Sequence, residues 1–216
     1  MNFDKKSLLL YAVTDRTWTD EVSLLEQVEQ ALRAGVTMVQ LREKNMNKEQ
    51  FLEEAIQMRR LTKKYQVPLI INDDMDIAIQ SGADGVHVGQ DDMDATMARA
   101  LIGPNRILGV SVHSVKEATI AWKQGADYLG VGAVFNTATK HNVTSMPYHT
   151  LKNICQSVYI PVVAIGGIQL SNIQKLKGSG IQGVAVVSAI FGSKSIDEAT
   201  KQLHHSVSNI VYEEAM

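Results

Sequence analysis

Gly82-Ala83-Asp84-Gly85-Val86 is where a helix stops and a strand begins, and the chain makes the same junction three times. Gly125-Ala126-Asp127-Tyr128-Leu129 and Gly180-Ile181-Gln182-Gly183-Val184 share its outline. In each, a glycine ends a helical stretch and an apolar strand follows at once. On either side of these junctions, short apolar runs alternate with longer stretches of helical period. Strands are expected at 8–13, 38–41, 68–71, 85–88, 106–110, 128–132, 161–165 and 183–187. Leu24, Leu25, Val28, Ala31 and Leu32 recur at helical spacing ahead of Gly35, and further helices are expected near 47–65, 75–80, 94–102, 115–123, 147–155, 171–177 and 196–211. Strands apolar on both faces suit a parallel sheet covered by helices. Eight strand–helix units of roughly 27 residues each predict a single (β/α)8 TIM barrel over residues 1–216, near the lower size limit of that architecture. An open doubly wound sheet is the second fold such a pattern allows. Even spacing with no break in strand order favours closure.

The 216 residues are 45% hydrophobic, enough for one sizeable core and short of two domains. With 21 basic and 23 acidic residues the net charge is -2, so no global positive field exists to attract nucleic acid. An anionic ligand must be held by local groups. Cys155 is the one cysteine, which rules out an intrachain disulfide and fits a reducing compartment. Its setting, Asn153-Ile154-Cys155-Gln156, reads as the apolar side of a helix, so packing is expected of it rather than nucleophilic chemistry. The run at 8–13 is too short to span a membrane and leads into no signal-cleavage region. A cytoplasmic protein with no membrane contact is the expectation.

In such a barrel the active site forms from polar residues at the C-terminal ends of the strands. In order, those ends carry Thr14-Asp15-Arg16, Gln40-Leu41-Arg42-Glu43-Lys44, Asn72-Asp73-Asp74, His87-Val88-Gly89-Gln90-Asp91-Asp92, Ser111-Val112-His113-Ser114, Thr137-Ala138-Thr139-Lys140, Gly166-Gly167 and Ser188. Arg42, Lys44 and Lys140 form a cation set; Asp73, Asp74, Asp91 and Asp92 form a carboxylate set. Together they suit a metal-bound polyphosphate, because magnesium takes oxygen ligands, typically one or two carboxylates with waters and substrate phosphate. Asp73 and Asp92, one from each of two neighbouring strands, are the candidate ligands. Surface ion pairs are the plainer reading of any one of these residues. They do not account for polar groups at nearly every strand end. Gly166-Gly167 and the Val187-Ser188 turn lie where such barrels often bind phosphate through backbone N–H groups. Two anion sites imply one doubly phosphorylated substrate or two phosphorylated substrates. His87 and His113 are candidate general bases, although His87 suits a core layer equally well. Neither a Ser/His/Asp order nor a zinc-type Cys/His spacing is present.

The motifs at 40–44, 71–74, 84–92, 108–113, 130–140, 163–168 and 186–190 carry a resemblance. Through them the chain resembles the thiamine-phosphate synthase family over nearly its whole length. The strand-two motif, the paired aspartates and Thr137-Ala138-Thr139-Lys140 are the specific parts. The resemblance implies a transferase that joins a hydroxymethylpyrimidine diphosphate to a thiazole phosphate, or its carboxylated form, releasing pyrophosphate and forming thiamine phosphate. It implies that Gln40 and Asn72 hold the pyrimidine, with Leu41 and Glu43 in the same substrate-binding segment. Arg42, Lys44, Ser111 and Lys140 would hold the diphosphate and carry catalysis. Asp73 and Asp92 would bind Mg2+, and Thr137, Ala138, Thr139, Gly167, Val187 and Ser188 would hold the thiazole phosphate. The implied mechanism is dissociative: pyrophosphate leaves, the aminopyrimidine stabilises the methylene cation, and the thiazole nitrogen captures it. Residues 141–148 depart from the family pattern in lacking glycine and in carrying Met146-Pro147-Tyr148. Three other readings compete. A thiazole tautomerase-like isomerase would use a histidine such as His113 and has no need of the magnesium and diphosphate set. A non-catalytic thiamine-phosphate-binding barrel would tolerate loss of a cation or carboxylate, and none is lost. A phosphosugar isomerase needs an acid/base pair at opposing strand ends, which is not evident. Whether the chain works as a homo-oligomer is left open.

Overall fold

The computed structural model describes residues 4–90, 92–136 and 145–212. Eight parallel strands close into a barrel in chain order: β1 Leu10–Val13, β2 Met38–Leu41, β3 Leu69–Asn72, β4 Gly85–Val88, β5 Ile107–Val112, β6 Tyr128–Val131, β7 Val162–Ile165 and β8 Gly183–Val186. Closure comes from β1 lying beside β8, with Tyr11 opposite Ala185. Around them run α1 Leu24–Arg33, α2 Lys48–Lys64, α3 Met75–Ser81, α4 Ala95–Ile102, α5 Val115–Lys123, α6 Tyr148–Ser157, the short α7 Ser188–Phe191, and α8 Ile196–Tyr212. Among the described residues no helix is long and apolar enough to cross a membrane.

The strands alternate between two cores. Tyr11, Val13, Met38, Ile70, Ile107, Tyr128, Val163 and Ala185 fill the barrel interior. Their neighbours Leu10, Ala12, Val39, Leu41, Leu69 and Ile71 pack outward against the helices. Burying a Leu or Ile side chain contributes about 1.5–3 kcal/mol, so this double-sided burial drives the architecture.

Most elements fall within a residue or two of their expected bounds, and four differences have structural consequences. β1 starts at Leu10, because Lys5–Leu8 turn as a 3-10 helix whose N-terminal Asp4 side chain accepts from Lys6 N. β5 continues to Val112, which puts Ser111 on the strand itself. The helix expected at 171–177 is only a 3-10 turn, Ile173–Leu176. There Asn172 donates from its side chain to Gly167 O and accepts from Gln169 N, a local bonding pattern that competes with a helix. Ser188 opens α7 rather than ending a strand.

At the N-terminal face the repeated junctions turn into clamps. Asp84 accepts from Leu69 N at 2.8 Å and pairs with Arg59 of α2, which also donates to Gly82 O. Two units later Asp127 accepts from Leu108 N at 2.8 Å and pairs with Arg99 of α4, which also donates to Gly125 O. Each clamp ties a helix, a helix-ending glycine and two adjacent strands together.

Candidate active site

A cavity of about 420 Å3 opens at the C-terminal ends of the strands. Gln40, Arg42, Lys44, Asn72, Asp73, Asp92, Ser111, Gly167, Val187 and Ser188, all nominated from sequence, line it together. Leu41 and Glu43 do not. Leu41 is fully buried against the helix layer. Glu43 turns into a neighbouring cleft of about 450 Å3, where Arg16 donates to it from Nε at 2.9 Å and pairs through Nη2 with Glu54. Burial pushes the Glu43 carboxyl above its usual value, and Arg16 pulls it back only in part. Asp74 is engaged elsewhere, capping α3 by accepting from Ile77 N at 3.0 Å. Thr137, Ala138, Thr139, Lys140 and Asp91 lie outside the described residues, as does the first half of the 141–148 segment.

The cation side is fixed from below. Arg42 donates its backbone N–H to Thr14 Oγ1 at 3.0 Å, and its guanidinium stands 3.8 Å from Asp15. Thr14 is fully buried, so this anchor does not move with solvent.

The carboxylate side is built on an unusual backbone. Asp73 has φ +63°, a left-handed conformation that a non-glycine residue adopts at a cost. Its N–H donates to His87 O at 2.9 Å, which holds the turn. The Asn72 amide donates to the Asp73 carboxylate, and Asp92 accepts from Gly89 N at 2.8 Å. Burial and the adjoining Asp92 carboxylate together push Asp73 up to about 6; Asn72 and Arg42 work against that rise. Two carboxylates placed together at a cavity mouth repel one another, a repulsion that a bound cation would relieve. No group of three or more metal-binding side chains forms among the described residues. A pair is nonetheless what magnesium uses when waters and substrate phosphate supply its other ligands.

Gly166 and Gly167 have φ +96° and +67°. A Cβ on Gly167 would lie 2.3 Å from Asn136 O and 2.7 Å from Phe135 O. The place of this glycine after β7 suits close approach by a phosphate. The backbone after β6 already demands a glycine there. Gly167→Ala is therefore expected to destabilise the fold by about 2–4 kcal/mol, from left-handed strain plus overpacking. Urea denaturation of the two proteins checks this, and equal midpoints would contradict it.

Two residues escaped the sequence reading. Tyr11 and Tyr128 are buried in the barrel, yet both line the cavity floor, and their hydroxyls are 2.9 Å apart. Gln40 Nε2 donates to Tyr11 Oη at 2.7 Å; Tyr128 Oη lies 2.9 Å from His87 Nδ1, and His87 Nε2 lies 2.9 Å from Ser111 Oγ. The available signal was Gly109 inside a strand, since interior strand glycines mark close approach. A Cβ there would lie 2.3 Å from Tyr128 Oη and 2.4 Å from His87 Nδ1. His113 is half-exposed and paired with Glu117 at 3.2 Å.

Comparisons with known proteins identify the family of the chain. A family model described as thiamine monophosphate synthase matches residues 10–190. The chain is 50% identical over 194 residues to a thiamine-phosphate synthase of Ruminiclostridium cellulolyticum, covering 90% of this chain and 92% of that one. It is 46% identical over 208 residues to thiamine-phosphate synthase 2 of Streptococcus pneumoniae serotype 4, covering 96% and 99%. A solved thiamine phosphate pyrophosphorylase from Pyrococcus furiosus superposes with a TM-score of 0.88 at 39% identity, covering 96% of this chain and 98% of that one. A closed parallel barrel, a mouth lined by opposed cations and carboxylates, and identity at this level over nearly full length establish that the chain belongs to the thiamine monophosphate synthase family.

Proposed function

We propose that this cavity condenses 4-amino-2-methyl-5-hydroxymethylpyrimidine diphosphate with 4-methyl-5-(2-phosphoethyl)thiazole, or its carboxylated form, to give thiamine phosphate and pyrophosphate. The observation that supports the reading is one cavity whose lining gathers both sets of residues expected to hold anions. Arg42 and Lys44, with Asp73 and Asp92, make up one set, and Gly167, Val187 and Ser188 the other.

The residues divide the work between leaving group and acceptor. Gln40 and Asn72 hold the aminopyrimidine. Arg42, Lys44 and Ser111 gather on the diphosphate and stabilise the charge that grows as the carbon–oxygen bond breaks. The electron-rich ring supports the methylene cation, so the protein need supply no nucleophile. Gly167, Val187 and Ser188 hold the thiazole phosphate and aim the ring nitrogen at that carbon. Lys140 and Thr137 to Thr139 join these two sets by their motif. Asp73 and Asp92 would hold magnesium, which when bound supplies further positive charge for the diphosphate oxygens. The paired carboxylates also weigh against an isomerase reading, which has no use for them. We place the reaction in the cytoplasm, in keeping with a chain whose one cysteine, Cys155, can form no intrachain disulfide and packs half-buried against the core, where burial pushes its thiol up to about 12.

Mixing both substrates with magnesium should release pyrophosphate and form thiamine phosphate, and chelating the metal should suppress both. Absence of pyrophosphate with all components present would end the proposal. Release that ignores chelation would remove the ion and leave the condensation standing.

A further inference from the structure

Five buried or half-buried polar side chains from β2, β1, β6, β4 and β5 form one hydrogen-bonded line under the cavity, from Gln40 through Tyr11, Tyr128 and His87 to Ser111. Every member also lines the cavity. A hydroxyl has one proton to give. If Tyr11 accepts from Gln40, it donates its own proton to Tyr128. Tyr128 then donates to His87 Nδ1. A ring nitrogen that accepts carries no proton, so the imidazole proton sits on Nε2 and points at Ser111 Oγ. Ser111, accepting there, is left to donate its hydroxyl proton elsewhere. Burial pushes both phenols above their ordinary value, so neither breaks the line by ionising.

We propose that this line transmits hydrogen-bond direction, so that a ligand N–H accepted by the Gln40 amide oxygen sets the Ser111 hydroxyl to donate toward the leaving diphosphate. The substrate half of this rests on the function proposed above; the direction of the line does not. An aminopyrimidine presents such an N–H. A ring that offers only acceptors at that edge favours the reversed amide. Every bond in the line then reverses, and Ser111 Oγ–H is drawn back to His87 Nε2. Each side chain carries the same number of protons in both states: the hydroxyls rotate, and the one imidazole proton leaves Nε2 and is replaced at Nδ1 by exchange with solvent at the cavity. Tyr11, Tyr128 and His87 are positioning residues in this scheme, and they discriminate between pyrimidines by the donor pattern of one edge. The space cut for them by Gly109 indicates a built feature, because any larger residue would collide with both Tyr128 and His87.

The test reads the tautomer of His87 directly by 15N NMR of histidine-labelled protein, without substrate. Wild type should show a proton on Nε2 and none on Nδ1. Gln40→Glu puts an ionised, acceptor-only carboxylate at the start of the line, so Tyr11 must donate to it. The proton on His87 should then move to Nδ1, three contacts away. In Tyr11→Phe the same Gln40→Glu change should leave the tautomer as it was. An Nδ1–H wild type, or no switch in Gln40→Glu, overturns the proposal. For turnover, Tyr128→Phe should lower kcat of pyrophosphate release by about tenfold, the value of one hydrogen bond, with KM for the pyrimidine diphosphate changed by less than about threefold. His87→Gln, which can still accept from Tyr128 and donate to Ser111, should retain most of the activity. A Tyr128→Phe effect confined to KM overturns the coupling to Ser111. If wild type releases no pyrophosphate at all, the proposed function fails while the tautomer measurement still stands or falls by itself.

Discussion

Arg42→Ala lowers the rate of pyrophosphate release by about 10²–10³-fold, the usual loss when one preorganised charge-stabilising group is removed. Preorganisation is the reason for so large a value. The residue's backbone is bonded to buried Thr14, its guanidinium is one-fifth exposed, and Asp15 stands beside it at 3.8 Å. The cation therefore waits in place and spends little on reorganising when charge appears on the leaving group. That charge is greater in the transition state than in the bound diphosphate, so kcat should fall more than KM rises. Arg42→Lys should recover only part of the loss, since an ammonium cannot make the paired contacts of a guanidinium. Steady-state pyrophosphate release measures all three proteins. Turnover of Arg42→Ala within threefold of wild type would remove this side chain from the chemistry.

Asp73→Asn is expected to split activity from stability. Turnover at saturating substrate should drop by about 10²-fold as the response to magnesium is lost. The unliganded protein should become more stable by roughly 1 kcal/mol near neutral pH, once screening at the exposed cavity mouth is allowed for. The sign follows from Asp73 being pushed from 3.8 up to about 6 by burial and by Asp92. Between those values the folded chain holds a proton that the unfolded chain releases. Its stability therefore falls as pH rises through that window and levels off above about 6. The adjoining Asp92 carboxylate helps to raise Asp73, so replacing either carboxylate relieves the repulsion. Magnesium needs the ionised pair, so its stabilising effect should appear above that pH and fade below it. Denaturation curves across pH, with and without magnesium, check both halves. A variant as sensitive to pH and magnesium as wild type would show that the pair is not the metal site.

The barrel was legible because its strands are apolar on both faces and its junctions repeat. Both signals are local, and closure follows from them once eight units are counted. The charged mouth was legible for a similar reason, since strand ends in a parallel barrel all point the same way. Strand alternation sharpens that reading. Gln40 and Leu41 point to opposite faces of β2, and past the strand end Arg42 and Lys44 line the cavity while Glu43 lines only the adjoining cleft. The turn at Ile173–Leu176 was not legible as such, because the apolar spacing there matches a helix and only side-chain bonds to the backbone undo it. Tyr11 and Tyr128 were hidden more deeply. A tyrosine in an apolar run looks like ordinary core, and these two meet across the barrel from positions far apart in the chain.

The two arginine–aspartate clamps sit at the opposite end of the barrel from the cavity, one on the β3–β4 seam and one on the β5–β6 seam. Bracing and chemistry thus occupy separate ends of the same strands. A population of variants can drift at the mouth, exchanging one charged ligand contact for another, while the brace keeps the scaffold intact. Such a division makes the mouth an evolvable surface, open to new substrates at little risk to folding.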